Sequence, residues 1–220
     1  MLTSALINQN IPRLQPADTV AKALQLINDF KLTHLPVVSE GIFLGLISEE
    51  DLLDVEEGKG TIEFLSATLI QAAVRDDVHF LQAIQVCIQH EANVIAVIDK
   101  NKLLKGVITS NLLLNAMGSF AGASERGGMI LLKMEPSQFS ASELCRIAES
   151  EGCAVLHLNA ISNLQEGSLE VSLIVNKQDI GALVNSLERY EYQVLHYIGK
   201  EEVENEIRNN FRHLMNYLDI

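Results

Sequence analysis

The fold is decided by the stretch Thr19–Asp54, which reads TVAKALQLINDFKLTHLPVVSEGIFLGLISEEDLLD. Apolar residues recur at helical spacing in its first third, after Asp18 or Thr19 as the N-cap. The short run 35–38 is apolar and β-branched, which is typical of a buried strand. Turn residues follow and lead to a second strand at 42–47, and Ser48 opens another helix. The stretch therefore predicts a helix, a β-hairpin and a helix start in succession.

The same order of elements recurs about 60 residues later, which is the period of a duplicated supersecondary unit. A second helical stripe, from Phe80 to Cys87, follows Asp76 or Asp77 as the expected cap. The strand 95–98 and the strand 103–108 then form a second hairpin, whose turn is one residue longer, and Thr109 opens the next helix. The first part of the chain is therefore predicted to contain two copies of one unit.

These residues resemble the CBS domain, whose repeats of about 60 residues carry a helix, an h-P-V-h strand, a G-h-h-[S/T] strand and an x-x-D-L-L helix start. The resemblance covers roughly 11–54 and 72–117, within an N-terminal domain expected at 1–118. It implies that the two repeats pair pseudo-symmetrically through their sheets into one module, the Bateman module. It also implies clefts between the repeats, where such modules commonly bind adenosine-containing ligands.

A second domain is predicted after a linker of small residues at 119–128. Its elements follow the order βαββαβ, which is the ferredoxin-like split unit. The caps expected for its two helices are Ser140 or Ser142 and Asn176 or Asp179. The predicted elements are a strand 129–134, a helix 142–151, strands 153–160 and 168–176, a helix 179–190 and a strand 193–198.

After a CBS pair, this order resembles an ACT domain at 129–198, the arrangement of AcuB-type acetoin-utilisation proteins. The expected fold class is thus α/β and α+β, with tandem CBS repeats and a C-terminal ferredoxin-like domain of the ACT type. ACT domains that bind amino acids usually have a glycine-rich turn after the first strand, whereas this chain has Glu135–Gln138. Residues 199–220 carry apolar side chains three and four apart, which predicts an amphipathic helix packed on its own chain or on a partner subunit.

The candidate chemistry lies at Ser48 and Asp51, which follow a buried strand and open a helix. An aspartate here can accept both hydroxyls of a ribose, and the CBS resemblance implies that role for Asp51. The same residues also form a capping box, which stabilises a helix by about 1 kcal/mol without any ligand. Both interpretations of the motif stay open at this point.

The remaining candidate residues also follow from the resemblance. The segment 33–36 resembles the one that lines an adenine pocket, although Pro36 alone equally suits a strand start. In the second copy Leu112 replaces the aspartate, with Asn111 beside it, so one competent cleft at most is expected. The predicted ligand-binding residues are Thr33, His34, Leu35, Pro36, Ser48, Asp51, Thr109 and Asn111.

The charges near Asp51 restrict the expected ligand. Glu49 and Glu50 flank the aspartate, and nearby cations are expected to be few, the candidates being Arg13, Lys31 or Lys105. AMP, ADP or S-adenosylmethionine therefore fit better than ATP, and no cofactor is required.

Composition excludes several classes of function. Lys and Arg number 16 against 29 Asp and Glu, giving a net charge of -13, and both halves of the chain are acidic. Nucleic acid and anionic membrane are therefore poor partners. Neither a signal peptide nor a long apolar run is present, which predicts a cytoplasmic protein. The three cysteines stand in apolar contexts and are expected to be buried, and neither the histidines nor any motif indicates a metal or catalytic site.

The sequence thus predicts a non-catalytic regulatory protein, most simply a homodimer, that senses an adenosine ligand and acts on an enzyme or transporter. Two alternatives stay open. One is a ligand-free scaffold that holds a partner by its apolar surfaces, and the other is an amino-acid sensor based on the ACT-like domain.

Overall fold

The computed structural model describes residues 1–55 and 60–200. The chain is a mixed α/β protein that separates into two compact units, one over Met1–Met117 and the other from Gly118 onward. The predicted C-terminal helix, 199–220, lies outside the described residues except for Gly199 and Lys200. None of the helices in the described ranges is long and apolar enough to cross a membrane.

The first unit contains the helix, hairpin and helix start twice, as the repeat predicts. The elements of the first copy are α1 Val20–Phe30, β1 His34–Ser39, β2 Ile42–Ser48 and α2 Glu49–Leu53. Those of the second are β3 Ala73–Arg75, α3 Phe80–Gln89, β4 Val94–Ile98, β5 Leu104–Thr109 and α4 Ser110–Phe120. Both hairpins are antiparallel, and β3 runs parallel to β4.

The two copies differ in how their first helices begin. Thr19 caps α1 by accepting the backbone N–H of Lys22 at 3.2 Å, as expected. The prediction that Asp76 or Asp77 caps α3 is wrong, because His79 holds the N-cap position and makes no capping hydrogen bond with its side chain. The Asp77 carboxylate instead accepts a hydrogen bond from the Arg75 side chain.

The segment that precedes each repeat pairs with a strand of the other repeat. Ile70 exchanges backbone hydrogen bonds with Leu46 of β2 at 2.9 and 3.0 Å, and Asn8 exchanges them with Val107 of β5 at 2.7 and 3.1 Å. The neighbouring glycines, at 45 and 106, allow these segments to come close to the strands. A Cβ at Gly45 would lie 2.7 Å from the Leu69 Cβ, so only glycine fits there without a shift.

The hairpins also meet at their tips, and the two repeats share one hydrophobic core. The N–H of Phe43 donates to the Lys102 carbonyl at 2.9 Å, and the N–H of Leu104 donates to the Gly41 carbonyl at 3.0 Å. The largest fully buried side chains of this core come from both copies: Leu14, Ile27, Leu35, Leu46, Ile47, Leu52, Ile62, Phe80, Ile95 and Ile108. The repeats therefore form one module rather than two independent units.

The second unit has the predicted βαββαβ order. Its sheet is antiparallel, with strands in the order β7-β8-β6-β9, and one face packs on the two helices. This is the ferredoxin-like topology. The elements are β6 Gly128–Met134, α5 Ala141–Ser150, β7 Val155–Asn163, β8 Ser168–Val175, α6 Gly181–Arg189 and β9 Gln193–Ile198.

Some local predictions for this unit need correction. Ser140 caps α5, with the Glu143 N–H at 3.3 Å, whereas α6 follows Ile180 without a side-chain cap. Asn176 is not that cap, because its side-chain oxygen accepts the Ala154 N–H at 2.8 Å. The predicted linker 119–128 overlaps the end of α4 and the first residue of β6.

The expectation that all three cysteines are buried holds for one. Cys153 is buried, while Cys87 and Cys145 are half-buried, and none forms a disulfide. The Cys87 thiol donates to the Ala92 carbonyl at 2.8 Å, and burial raises the pKa of that thiol. Cys87 therefore stays protonated and behaves as a packing residue.

Candidate functional site

A cleft of about 440 Å³ lies in the first unit, beside the start of α2. Four of the eight predicted ligand residues line it, and the rest of its wall comes from the first turn of α2, the segment before β3 and the end of α3. The lining residues are Thr33, His34, Ser48, Glu49, Glu50, Asp51, Ile70, His90 and Glu91. Its volume is within the roughly 300 to 1,000 Å³ usual for small-molecule sites.

Ser48 and Asp51 form the local hydrogen bonds of a helix cap. The Ser48 hydroxyl accepts the backbone N–H of Asp51 at 3.0 Å and donates to the Asp51 carboxylate. The carboxylate is thus bound by a hydroxyl group of its own motif, and no backbone amide in the described part of the chain donates to it. Since a carboxylate offers about four lone-pair sites, Asp51 can still accept hydrogen bonds from a ligand in the cleft.

Thr33 connects this wall of the cleft to the second repeat. Its backbone N–H and hydroxyl both donate to the Asn93 side-chain oxygen, at 2.8 and 2.9 Å. The backbone N–H of Asn93 in turn donates to the Thr33 hydroxyl at 3.2 Å. The two residues are counterparts 60 positions apart. Their carbonyls accept the first N–H of α2, from Glu49, and of α4, from Ser110, both at 2.8 Å. The hydrogen bonds between Thr33 and Asn93 therefore connect the start of α2 to the start of α4.

His34 is the buried polar group of the cleft, with 8% of its surface exposed. Its Nδ1 lies 2.8 Å from the Thr33 hydroxyl. Burial lowers the pKa of His34, the Asp51 charge opposes that shift, and His90 adds to it. The ring is therefore neutral at pH 7. Because the Thr33 hydroxyl gives its proton to Asn93, Nδ1 carries the ring proton, and Nε2 can accept a hydrogen bond from a ligand.

The side chains at the mouth of the cleft are acidic. Glu49, Glu50, Asp51 and Glu91 line it together with the two histidines, and among residues 1–55 and 60–200 no Lys or Arg lines it. The sequence motif indicated the first three carboxylates. Glu91 lies at the end of α3, far along the chain, and no motif pointed to it.

The cations expected near the phosphate end of a ligand lie elsewhere. Arg13 and Lys105 line a separate cavity of about 470 Å³ beside β5. Lys105 pairs there with Asp99 at 3.0 Å. Lys31 is the exposed residue that ends α1, and it does not line the cleft. None of these three candidate cations is therefore among the described residues that line the Asp51 cleft.

Four predicted site residues do not line this cleft. Leu35 and Pro36 are buried within β1, whose side chains face the core on both sides of the strand. Thr109 accepts the Leu112 N–H at 3.4 Å as the start of α4, and Asn111 is exposed on that helix. Both belong to the other half of the module, so the Asp51 cleft is built without them.

Three lining residues and one supporting residue were missed from the sequence. Ile70, His90 and Glu91 have no motif of their own, and only the chain path brings them to Asp51. Asn93 did carry a usable pattern, because it stands one repeat after Thr33.

The second unit has a cavity of about 330 Å³ beside the turn after β6. That turn is closed by the Gln138 side chain, whose oxygen accepts the Glu135 N–H at 3.0 Å. Glu143 and Glu191 line the cavity, and Tyr192 donates to Glu143 at 3.3 Å. A nearby cation among the described residues, Arg146, pairs with Glu143 at 3.7 Å and lies 5.6 Å from the Tyr190 ring.

Neither unit shows a metal centre in its described part. Among residues 1–55 and 60–200, no three His, Cys, Asp or Glu side chains are grouped so that they could hold a metal ion.

Comparison with known proteins gives a family match and several similar folds. Residues 4–58 match the family model of the CBS domain. A CBS domain pair/ACT domain protein from Thermotoga maritima is similar in structure at 21% identity and a TM-score of 0.50, covering 55% of this chain and 98% of that chain. At this identity the similarity shows the fold alone.

Two further structures are similar at lower scores. A protein assigned to acetoin utilization (AcuB) from Vibrio cholerae has 17% identity and a TM-score of 0.46, covering 56% of this chain and 95% of that chain. CBSX2 in complex with AMP has 21% identity and a TM-score of 0.45, covering 54% of this chain and 97% of that chain. Residues 4–58 thus match the CBS domain, and the Thermotoga maritima protein of similar fold is a CBS domain pair/ACT domain protein.

Proposed function

We propose that this protein is a non-catalytic regulator whose cleft beside Asp51 binds an adenosine-containing ligand. The observation that carries the proposal is the cleft itself. It is large enough for a nucleoside, and the Asp51 carboxylate at its wall keeps acceptor sites free. Thr33 and His34 stand in the same wall.

Each lining group has a role in this proposal. Asp51 accepts the two ribose hydroxyls, which are charge-assisted hydrogen bonds and stronger than neutral ones. Thr33 and the neutral ring of His34 face the polar edge of the adenine, and Ile70 offers an apolar surface to its face. Ser48 keeps Asp51 in place through the helix cap.

The regulatory step is a shift in the arrangement of the repeats. The cleft takes His90 and Glu91 from the second copy and Asp51 from the first. A ligand that contacts both sides favours the arrangement it binds best, and it can shift the population only by its differential affinity. In a homodimer, that shift would alter the surface presented to a regulated enzyme or transporter.

A thermal-shift assay tests the proposal with adenosine, AMP, ADP and S-adenosylmethionine. A ligand at about 100 times its Kd stabilises the folded state by about 2.7 kcal/mol, so a binding compound raises the Tm by several degrees. Asp51→Asn keeps the size of the side chain but loses the charge. We expect it to weaken binding about tenfold or more, as the loss of a charged acceptor does.

Asp54→Asn is the matched control, because Asp54 is an exposed residue at the other end of α2. It removes the same charge from the same helix without touching the cleft, and we expect wild-type affinity. Absence of a shift with every adenosine compound at millimolar concentration would contradict the proposal. An equal loss of affinity in both variants would assign the effect to net charge and contradict the role of Asp51.

The ligand-free scaffold remains the second candidate, because large apolar side chains are exposed on the first unit. Phe64 is 84% exposed, and Ile88 and Leu114 are each 71% exposed. Purification of the native protein with a stable partner, and with no adenosine compound detected by mass spectrometry, would favour the scaffold. Calorimetry with amino acids on the full chain tests the ACT-based alternative.

A further inference from the structure

The cleft beside Asp51 presents negative charge to whatever enters it. Glu49 and Glu50 extend from the first turn of α2, and Glu91 stands across from them at the end of α3. All three are exposed at the mouth, while Asp51 is half-buried. A ligand therefore meets four carboxylates in addition to neutral polar groups.

The start of α2 has little free hydrogen-bonding capacity to offset these charges, because two of the three N–H groups in its first turn are already bound. The N–H of Glu49 already donates to the Thr33 carbonyl, and the N–H of Asp51 donates to the Ser48 hydroxyl. The first turn of α2 is itself made of three acidic residues. A phosphate in this position would find these N–H groups already bound to other acceptors. It would also face the carboxylates directly.

A comparison of the repeats shows that this acidity is local. Glu91 and Lys31 are counterparts 60 positions apart, and both take the left-handed conformation after their helices, with φ of 51° and 52°. The backbone at this point is thus the same in both copies, while the charge is opposite. The other candidate cations, Arg13 and Lys105, line the separate cavity beside β5.

A second feature of the cleft also favours a ligand that is not an anion. His34 lines the cleft with more than nine-tenths of its surface buried, and its Nδ1 already meets the Thr33 hydroxyl. Its other ring nitrogen can make one hydrogen bond to an uncharged base edge. A buried neutral imidazole beside Asp51 offers no full positive charge to a phosphate.

We propose that the cleft selects adenosine ligands that carry a positively charged group and discriminates against those that carry phosphate. This inference rests on the proposed function, since it assumes that the cleft binds adenosine, and it adds the charge class of the ligand. The adenosine part binds to Asp51, Thr33 and His34. The charged substituent extends to the mouth, where Glu49, Glu50 and Glu91 attract a cation and repel a phosphate.

The size of the effect follows from Coulomb's law in salt. If each of the four carboxylates is taken to lie about 7 Å from the ligand charge, in water at physiological salt, they change the affinity by about fivefold for each unit of ligand charge. A net charge of about +1 therefore favours S-adenosylmethionine over the neutral S-adenosylhomocysteine by about fivefold. AMP, with about two negative charges, is expected to bind about 25-fold more weakly than its charge-free part, adenosine.

Isothermal titration calorimetry on the full chain tests this with adenosine, S-adenosylhomocysteine, S-adenosylmethionine and AMP. The variant Glu49→Gln, Glu50→Gln, Glu91→Gln removes the charges at the mouth and keeps Asp51. We expect the preference for S-adenosylmethionine over S-adenosylhomocysteine to fall to about twofold or less, and AMP to bind several times more tightly. High salt reduces the wild-type preference in the same direction.

The matched control is Glu125→Gln, Glu149→Gln, Glu188→Gln, which removes three exposed carboxylates from the second unit. It changes the net charge equally, so we expect wild-type selectivity. Binding of AMP more tightly than adenosine, or equal selectivity in wild type and the mouth variant, overturns the charge inference and leaves the proposed function in place. Absence of binding by adenosine and all three derivatives overturns both.

Discussion

The two repeats of the first unit use the same backbone contacts and differ in the side chains around their clefts. Gly45 and Gly106 each allow the segment before the opposite repeat to pair with a strand. Thr33 and Asn93 hold the starts of α2 and α4 through the same carbonyl contact, at 2.8 Å in both copies. The contacts that build the module are thus kept on both sides.

The side chains that line the cleft differ between the two repeats. Residues that would face a ligand are charged or polar on one side and apolar or of opposite charge on the other. The counterparts are His34 and Val94, Asp51 and Leu112, His90 and Phe30, and Glu91 and Lys31. The backbone pairing is the same in both copies although these side chains differ, so one cleft can have binding chemistry that the other lacks.

The largest expected difference between the two copies is in the free energy of unfolding that is lost when a core side chain is truncated. Phe80 and Val20 are the counterpart first residues of α3 and α1, and they are 0% and 6% exposed. Phe80→Ala leaves the larger cavity and is expected to cost about 3–5 kcal/mol, whereas Val20→Ala loses two methyl groups and costs about 2 kcal/mol. Urea denaturation followed by circular dichroism measures both. Equal losses would show that the two helices contribute equally to the shared core.

Alanine substitutions at Gly45 and Gly106 should instead reduce the stability by similar amounts. A Cβ at Gly45 lies 2.7 Å from the Leu69 Cβ, and one at Gly106 lies 2.8 Å from the Asn8 carbonyl oxygen. Each alanine substitution is expected to cost about 2–3 kcal/mol, because a backbone segment must move. Gly41→Ala is the control, since its Cβ meets its nearest atom at 3.6 Å although its φ is +83°. It should cost about 1 kcal/mol from backbone strain. A loss at only one of the paired glycines would contradict equivalent strand pairing.

The smallest effect concerns His34, whose counterpart Val94 does not titrate. Burial lowers the pKa of folded His34 below its ordinary value of 6.5. Between the two values the unfolded chain binds more protons, so the free energy of unfolding falls as the pH drops below about 6.5. His34→Gln and His34→Val should both reduce this pH dependence. Urea midpoints at pH 7.5 and 5.5 measure it, and an unchanged slope in both variants would exclude His34 as its source.

Local sequence patterns predicted most of the secondary structure. The helical stripes, the hairpins and the βαββαβ order are all present, because each depends on residues within one or two turns or strands. The wrong predictions concern caps, at Asp77 and Asn176, whose side chains hydrogen-bond with Arg75 and Ala154 instead. A capping residue has several partners within reach, and packing selects among them.

The sequence by itself determined the duplicated unit, the ferredoxin-like order and the Ser48–Asp51 pair, because the pair sits within a single helix turn. Only the tertiary structure decided what surrounds Asp51. Ile70, His90 and Glu91 reach the cleft because each segment pairs or packs with the other repeat, and Arg13 and Lys105 are carried to another cavity. The charge of a site built from distant segments depends on chain packing, and no local pattern encodes it.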